Sequence, residues 1–189
     1  MYILRYLTLG SIFLIRALFS GQSDLEVRVG LSHFTKSLLF EIYGKAAFDA
    51  ELEYHYKQNR YVTYFVNLSN VNKQGYTIGF DNKSHLNLLS LSVGPRFLFR
   101  FKNTPCLTPY LGIGMTGSWI HTHDQGENII NTFDKGAFGP CFKSGIIWSR
   151  SQFYVDLFFD YYIQYAKNFE HDYVNFSNLK SGVGIGYVF

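Results

Sequence analysis

Charged side chains recur at every second position in several stretches of this sequence, and this spacing is the feature that bears most on chemistry. Glu26 and Arg28 are two residues apart, as are Glu51 and Glu53. Residues two apart in an extended chain lie on the same face, so the spacing predicts a surface on which acids and bases meet. Five basic and six acidic residues share it: Arg28, Arg96, Arg100, Lys143 and Lys180, and Glu26, Asp49, Glu51, Glu53, Asp156 and Asp160. The near balance predicts ion pairing, with a narrow gated conduit as the alternative.

A second candidate is the sequence HTHD, in which His121 and His123 are two residues apart and Asp124 follows. Alternate residues of a strand share a face, so two imidazoles could hold one metal ion. Two imidazoles and one distant carboxylate are a weak ligand set, and solvated loop histidines are the favoured interpretation. The sequence predicts neither a metal site nor a cofactor.

The elements that must position these residues are eight stretches of alternating polarity. The first sets Leu25, Val27 and Val29 against polar or small neighbours, the period of two that indicates a half-buried strand. The eight stretches are 25–34, 47–56, 61–69, 88–101, 110–119, 137–148, 153–165 and 179–189. Connections after the even strands are short, whereas those after the odd strands are longer and centre on 35–45, 70–85, 121–136 and 167–176. This pattern predicts an all-β fold: an eight-stranded antiparallel up-and-down transmembrane β-barrel with short periplasmic turns and long extracellular loops.

The composition agrees with a membrane barrel. Charged residues are only 16% of the 189 residues and aromatic residues are 19%, whereas an average soluble domain is about 25% charged. Beyond the N-terminus no apolar run is long enough for a membrane-spanning helix. A soluble lipocalin-like barrel is a third interpretation, but its interior would be apolar, whereas here the charges share the inward face.

The first 22 residues have the features of a secretory signal. Arg5 precedes an apolar stretch at 6–15, as in a signal peptide. Because Arg16 interrupts the apolar stretch, an interfacial or single-spanning anchor is the alternative. We expect a signal peptide at 1–22 and an outer-membrane barrel domain at 23–189. Without the signal the net charge falls from +3 to about +1, which argues against a nucleic-acid partner.

The positions of two prolines and two cysteines in the predicted strands lead to further predictions. Pro95 and Pro140 fall inside predicted strands, and because proline has no N–H to donate, each predicts an irregularity in the sheet.

Cys106 lies in the turn after strand four, and Cys141 lies near the outer end of strand six. At roughly 3.3 Å per residue the two sulfurs are about 15–20 Å apart. A disulfide needs Cα atoms within about 7 Å, so none is expected.

The C-terminal residues carry a family resemblance. Val183, Ile185, Tyr187 and Phe189 alternate toward an aromatic end, and LSVGPRFLFRF followed by TPYLGIGMTGSW has the pattern of a central hairpin. In these features residues 24–189 resemble the small eight-stranded outer-membrane β-barrels, the group of OmpX, the OmpA transmembrane domain and the PagL-type lipid A deacylases.

The resemblance has several implications. It implies a location in the bacterial outer membrane, with outer-membrane lipids and the barrel-assembly machinery as partners and a host or surface ligand bound through the loops. The four alternating C-terminal residues are then an assembly signal. The last strand is expected to pair with the first, because an open sheet edge cannot exist in hydrocarbon.

Two functions from different classes follow. The favoured one is a non-enzymatic structural or surface-interaction protein with a plugged polar lumen, because side chains just fill an eight-stranded interior. The alternative is a lipid A acyl-ester hydrolase of the PagL type. That family carries His-x-Ser-Asn on its penultimate strand, where this sequence has Asp160 and Tyr162. His171 and Ser177 lie six residues apart in a predicted loop, so no catalytic residues are predicted.

Overall fold

A computed structural model describes residues 23–35, 37–76, 83–125, 130–167 and 173–189. Its elements are β1 (Ser23–Phe34), α1 (Ser37–Tyr43), β2 (Ala47–Lys57), β3 (Val62–Tyr76), β4 (Lys83–Leu98), β5 (Leu107–Gln125), β6 (Ile130–Arg150), β7 (Phe153–Tyr162), β8 (Tyr165–Lys167), β9 (Tyr173–Asn175) and β10 (Asn178–Val188). The predicted signal peptide lies outside the described residues. No helix in the described part of the chain is long and apolar enough to cross a membrane.

All described strands belong to one antiparallel sheet that closes on itself. Each long strand pairs with the next along the chain, and β1 pairs with β10 from Asp24 opposite Val188 to Phe34 opposite Asn178. The eight long strands β1 to β7 and β10 therefore form a closed barrel, which confirms the predicted fold class and the pairing of last strand with first. Closure satisfies the backbone hydrogen bonds of every strand without a free edge.

Polarity alternates across the barrel wall as predicted. Along β1, Val27 and Val29 are 58% and 48% exposed on the outside, whereas Glu26 and Arg28 are fully buried inside. The outside of the other long strands carries similar exposed apolar residues, including Leu91, Leu111, Leu157 and Ile185. An apolar exterior around a charged interior is the arrangement of a barrel that faces lipid, and it is the reverse of a soluble barrel.

Toward the end opposite the short turns, this polarity inverts. Val71, Leu86 and Ile120 point inward and are fully buried, whereas Asn70 and Asn72 face outward. The inward residues form one apolar cluster, which we call the outer cap: Phe34, Leu39, Tyr43, Ala47, Val71, Leu86, Leu88, Ile120, Ala137, Ala166 and Phe176. A polar outside and an apolar inside are expected where a strand has left the hydrocarbon and entered water.

The inversion corrects the predicted loops. The region 70–85 was expected to be a loop, but β3 continues to Tyr76 and β4 begins at Lys83. In the same way β5 reaches Gln125 and β6 begins at Ile130, within the predicted loop 121–136. These strands were missed because their apolar residues change faces, and the predicted lipid-facing pattern ends at that level.

The predicted loop 35–45 contains the short helix α1, which contributes to the outer cap. The helix supplies Leu39 and Tyr43, and the Tyr43 hydroxyl lies 2.8 Å from that of Ser84 on β4. Gly44 ends the helix with φ of +76°, a conformation that glycine adopts without strain. Gly75 lets β3 approach the helix, because a Cβ there would lie 2.0 Å from the Ile42 carbonyl oxygen.

Both prolines interrupt a ladder, as predicted. The β4–β5 pairing stops at Val93 and resumes at Arg96, on either side of Pro95. Opposite Pro140, the seventh strand breaks between β7 and β8, and its pairing with β6 resumes at Tyr165. The register is unchanged across each gap, so the missing N–H is tolerated locally.

The cysteines are not bonded to each other, which confirms that prediction. Cys106 is exposed in the β4–β5 turn, and Cys141 is fully buried. Because β6 begins at Ile130, Cys141 lies in the middle of the strand rather than near its outer end. Its neighbours inside the barrel are Phe65 and Tyr162.

Leu88 and Leu89 are adjacent on β4 and test the polarity of the outer cap. Leu88 is fully buried in the cap, and Leu89 is 44% exposed on the outside. We expect Leu88→Ala to lower the free energy of unfolding by about 2–5 kcal/mol, because it leaves a cavity. Leu89→Ala should cost much less, since an exposed side chain leaves none. Urea unfolding from lipid vesicles measures both, and a larger loss for Leu89→Ala would contradict the assigned faces.

Candidate functional site: the charged barrel interior

Arg28 lies at the centre of the buried charges. Its Nη1 donates to Glu51 at 3.0 Å and to Glu53 at 2.9 Å, and it lies 3.0 Å from a carboxylate oxygen of Asp160. The guanidinium carbon is 3.6 Å from the centre of the Phe158 ring, a cation–π contact. One side chain of β1 thereby links β2 to β7 across the interior.

Two lysines extend the cluster to β6 and β10. Lys143 Nζ lies 2.6 Å from Glu53 and 2.9 Å from Asp160. Lys180 Nζ lies 2.9 Å from Asp49 and 3.1 Å from Glu51 on β2. Each lysine therefore pairs with two carboxylates, which offsets part of the cost of removing these charges from water.

Neutral donors complete the cluster. Asn67 of β3 donates to Glu51 at 2.8 Å and to Glu53 at 2.9 Å. The Tyr110 hydroxyl of β5 donates to Asp156 at 2.8 Å. With Arg96 of β4, which is buried 3.7 Å from Glu53, all eight long strands contribute a side chain. The cluster thus ties the whole barrel circumference together.

A second group of polar contacts lies at the end that carries the short turns. His55 is fully buried between Asp24 and Glu53 and contacts both, the latter at 2.6 Å. The Tyr154 hydroxyl donates to Asp24 at 2.8 Å and also lies 3.1 Å from a carboxylate oxygen of Glu26. These contacts link the central cluster to the mouth of the barrel.

Glu26, Glu53 and His55 are the one group among the described residues whose ligand atoms lie close enough to share a metal ion, within 4.8 Å of one another. Both nitrogens of His55 already face carboxylates, and the Arg28 Nε lies 3.5 Å from Glu26. A cation at this place would compete with basic side chains that neutralise the same acids. Ion pairing accounts for the geometry.

Glycines of β10 provide the space for these side chains. A Cβ at Gly184 would lie 2.0 Å from a carboxylate oxygen of Glu26, and one at Gly186 would lie 2.0 Å from the Tyr154 ring. Both glycines face inward, opposite the exposed Ile185. The alternation of glycine with apolar residues in this strand therefore reflects a crowded interior.

Ten of the eleven predicted interior charges lie inside the barrel, each at most 4% exposed: Glu26, Arg28, Asp49, Glu51, Glu53, Arg96, Lys143, Asp156, Asp160 and Lys180. The exception is Arg100, which lies beyond the end of β4 at Leu98 and is exposed. Its assignment to the interior was wrong because the strand ends before it, so the alternation no longer applies.

Sequence reasoning missed several members of the cluster. Asp24 and His55 are in phase with Glu26 and Glu53, so the period of two was the signal that could have found them. The neutral partners Asn67, Tyr110 and Tyr154 were not counted because only formal charges were considered. Their donor groups are nevertheless needed, since each carboxylate can accept several hydrogen bonds.

The two other candidate sites have different surroundings. His121 is exposed and its Nδ1 lies 2.6 Å from Asp134, and the side chain of Asp124 lies outside the described residues. Asp160 and Tyr162 are buried inside the barrel rather than at its lipid-facing rim. His171 lies outside the described residues. Ser177 is buried and accepts a hydrogen bond from the backbone N–H of Gln164.

The predicted assembly signal runs from the middle of β10, at Val183, to the end with the short turns. Val183 and Ile185 are exposed on the outside of β10. The Tyr187 ring packs edge-on against Phe153 and Phe189, with centroid distances of 5.1 and 5.3 Å. This arrangement describes the folded barrel, and recognition by the assembly machinery stays a prediction.

Comparison with known proteins identifies the fold. No protein-family model matches the sequence, and no curated protein matches it. Among solved structures, Neisserial surface protein A (NspA) superposes with a TM-score of 0.62 at 12% identity, covering 88% of this chain and 97% of that one. Ail, the attachment invasion locus protein of Yersinia pestis, gives 0.61 at 14% identity, covering 89% and 99%. A structure of Ail with the heparin analogue sucrose octasulfate gives 0.58 at 14% identity, with the same coverage. The chain therefore has the fold of the small eight-stranded outer-membrane β-barrels, as predicted.

A double-mutant cycle on Arg28 and Glu53 tests the coupling of the cluster. Arg28→Gln or Glu53→Gln alone should lower the free energy of unfolding by about 3–5 kcal/mol, because each leaves a buried charge without its partner. The double variant should lose clearly less than the sum of the two. Arg100→Gln, at an exposed position, is the control and should change stability by about 0.5 kcal/mol or less. Additive losses in urea unfolding would show that the two residues act independently.

Proposed function

We propose that the chain is an integral outer-membrane protein whose role is not enzymatic: a plugged barrel that carries a folded cap for interactions at the cell surface. The observation that carries this proposal is the filled interior. Arg28, Arg96, Lys143 and Lys180 are each at most 1% exposed, at the level of the exposed apolar wall. A side-chain network of this kind supports a structural scaffold rather than a diffusion pore.

The outside of the barrel supports outer-membrane lipids as one partner. Exposed apolar residues such as Val27, Leu111 and Leu157 surround the charged interior, an arrangement that is stable in hydrocarbon but not in water. The neighbours in structure are bacterial outer-membrane barrels, in agreement with the predicted location. We assign the short turns to the periplasm and the outer cap to the cell exterior.

The outer cap supports a surface-interaction role. Its apolar cluster and α1 give it a core of its own. Its β3–β4 hairpin carries Lys73 and Lys83, whereas the four connections at this end are together nearly neutral, with six lysines and seven acidic residues. Because Ail has been solved with a heparin analogue, we propose a sulfated or otherwise anionic polysaccharide as the ligand class for this face.

The alternative of lipid A hydrolysis has no support in the described residues. Asp160, at the position of the family's histidine, is bound to Lys143 and lies inside the barrel. A hydrolase needs a nucleophile and its base together where the lipid can reach them.

Planar-bilayer recordings test the plug. The refolded barrel should insert without producing regular steps of ionic current, because its central cross-section is occupied by bonded side chains. A wide porin inserted under the same conditions is the positive control. Uniform single-channel steps from the wild-type barrel would contradict a plugged lumen.

Binding to immobilised heparin tests the surface role. Lys73→Gln with Lys83→Gln, both on the β3–β4 hairpin, should weaken binding about tenfold, since two charge contacts at the surface together contribute about 1.4 kcal/mol. Arg60→Gln with Lys102→Gln removes the same charge from the opposite end and should have little effect. Equal weakening by both pairs, or no binding by the wild type, would contradict recognition by the cap.

A further inference from the structure

A cavity of about 260 Å³ opens at the end of the barrel that carries the short turns. It lies below the central charge cluster, and its lining includes Asp24, Lys57, Arg96 and Arg100. Neither the ion-paired plug nor the outer cap accounts for it. We propose that this mouth cavity binds an organic phosphate, a phosphate monoester group joined to an apolar moiety.

The charge of the lining matches a dianion. Lys57, Arg96 and Arg100 contribute three positive charges and Asp24 one negative charge, which leaves +2. A phosphate monoester carries about −1.5 to −2 charges near neutral pH. Arginine is well suited to such a group, because its planar guanidinium can donate two parallel hydrogen bonds to phosphate oxygens.

The two arginines of the lining differ in how far they are open to a ligand. Arg96 is 1% exposed, its Nε donates to Thr63 at 3.3 Å, and its Nη1 has no hydrogen-bond partner. The nearest acid to that Nη1 is Glu53 at 3.7 Å, beyond hydrogen-bond distance. Arg100 is exposed at the cavity mouth and forms no ion pair with the described residues. Because its Nη1 is closed to solvent, Arg96 contributes positive charge to the lining, whereas Arg100 and the partly exposed Lys57 offer donors that an anion in the cavity can reach.

The third cation is held in place by a single acid. Lys57 Nζ lies 3.3 Å from Asp24, and its side chain is 18% exposed. Asp24 also accepts from Tyr154 and contacts His55, so its negative charge is shared among several donors. Lys57 can therefore turn toward an anion without leaving Asp24 unpaired.

The rest of the lining distinguishes an organic phosphate from the inorganic ion. Leu98 and Ile147 belong to a small apolar cluster, and Val188 packs against it. All three line the cavity together with the hydroxyl residues Ser149 and Ser151. An apolar wall beside the cations would bury the carbon portion of the ligand, which inorganic phosphate lacks.

Two kinds of molecule would bring a phosphate monoester to this end of the barrel. One is a lipid phosphate monoester in the adjoining leaflet, and the other is a soluble organic phosphate. Phenyl phosphate is a suitable probe because it combines a monoester with one small apolar ring. The barrel is refolded in a maltoside detergent, which contains no phosphate, and binding is measured by isothermal titration calorimetry.

We expect saturable binding of phenyl phosphate to the wild type, and weaker binding of inorganic phosphate. Lys57→Gln with Arg100→Gln should weaken phenyl phosphate binding about tenfold or more, because two charge-assisted contacts are lost. The matched control, Arg60→Gln with Arg150→Gln, removes the same charge from exposed positions at the same end and should stay within about twofold. Equal weakening by both pairs, or no saturable binding to the wild type, would overturn the proposal.

Nanodiscs distinguish the two sources. In discs with phosphatidic acid, a lipid monoester, a lipid ligand would compete, and wild-type affinity for phenyl phosphate should fall relative to discs of phosphatidylcholine alone. Unchanged affinity would assign the cavity to a soluble phosphate. A fall of the same size in the Lys57→Gln, Arg100→Gln variant would show that the competition occurs elsewhere and would overturn the lipid assignment.

Discussion

The buried guanidinium of Arg28 is the group around which the barrel interior is arranged. A charge removed from water costs several kcal/mol unless partners replace its hydration, and Arg28 is fully buried. Carboxylates of β2 and β7 surround the guanidinium, and Lys143 and Lys180 form ion pairs with the same carboxylates. Even the small residues of β10 follow from this centre, because larger ones would displace Glu26 and Tyr154.

The long strands that reach the outer cap pass from hydrocarbon into water, and the polarity of their inward and outward residues changes at that level. Within the apolar belt, β4 places Leu91 outside and Ser92 inside; above the belt, Leu86 and Leu88 turn inward. The interior thus changes from ion-paired to apolar along the barrel. The ionic layer closes the lumen, the apolar layer supports a surface, and the cavity at the turn end is left as the place where a small anionic ligand can enter.

Much of this could be predicted from the sequence, because alternation in a strand is local. Glu26 and Arg28 reveal their face from spacing alone, and the closed sheet follows from the need to satisfy backbone groups in hydrocarbon. The remaining features of the fold depend on where each strand ends and where it leaves the hydrocarbon. Arg100 was misplaced because nothing in the alternation marks the last residue of β4. The extensions of the hairpins were missed because near Asn70 the outward face becomes polar and the inward face becomes apolar. Partners such as Tyr110 come from strands far apart in the sequence, and only the closed barrel brings them to the cluster.

Hydrogen exchange of arginine side chains tests the central claim most directly. In nitrogen-15 NMR spectra of the refolded barrel, the guanidinium protons of Arg28 should be visible and exchange slowly, because its donors are bonded and excluded from water. Arg100, exposed beyond β4, is the internal reference and should exchange rapidly. Slow exchange of Arg28 together with rapid exchange of Arg100 is the predicted result. Exchange of Arg28 as fast as that of Arg100 would mean that water reaches the centre of the barrel, and would contradict a plugged, ion-paired lumen.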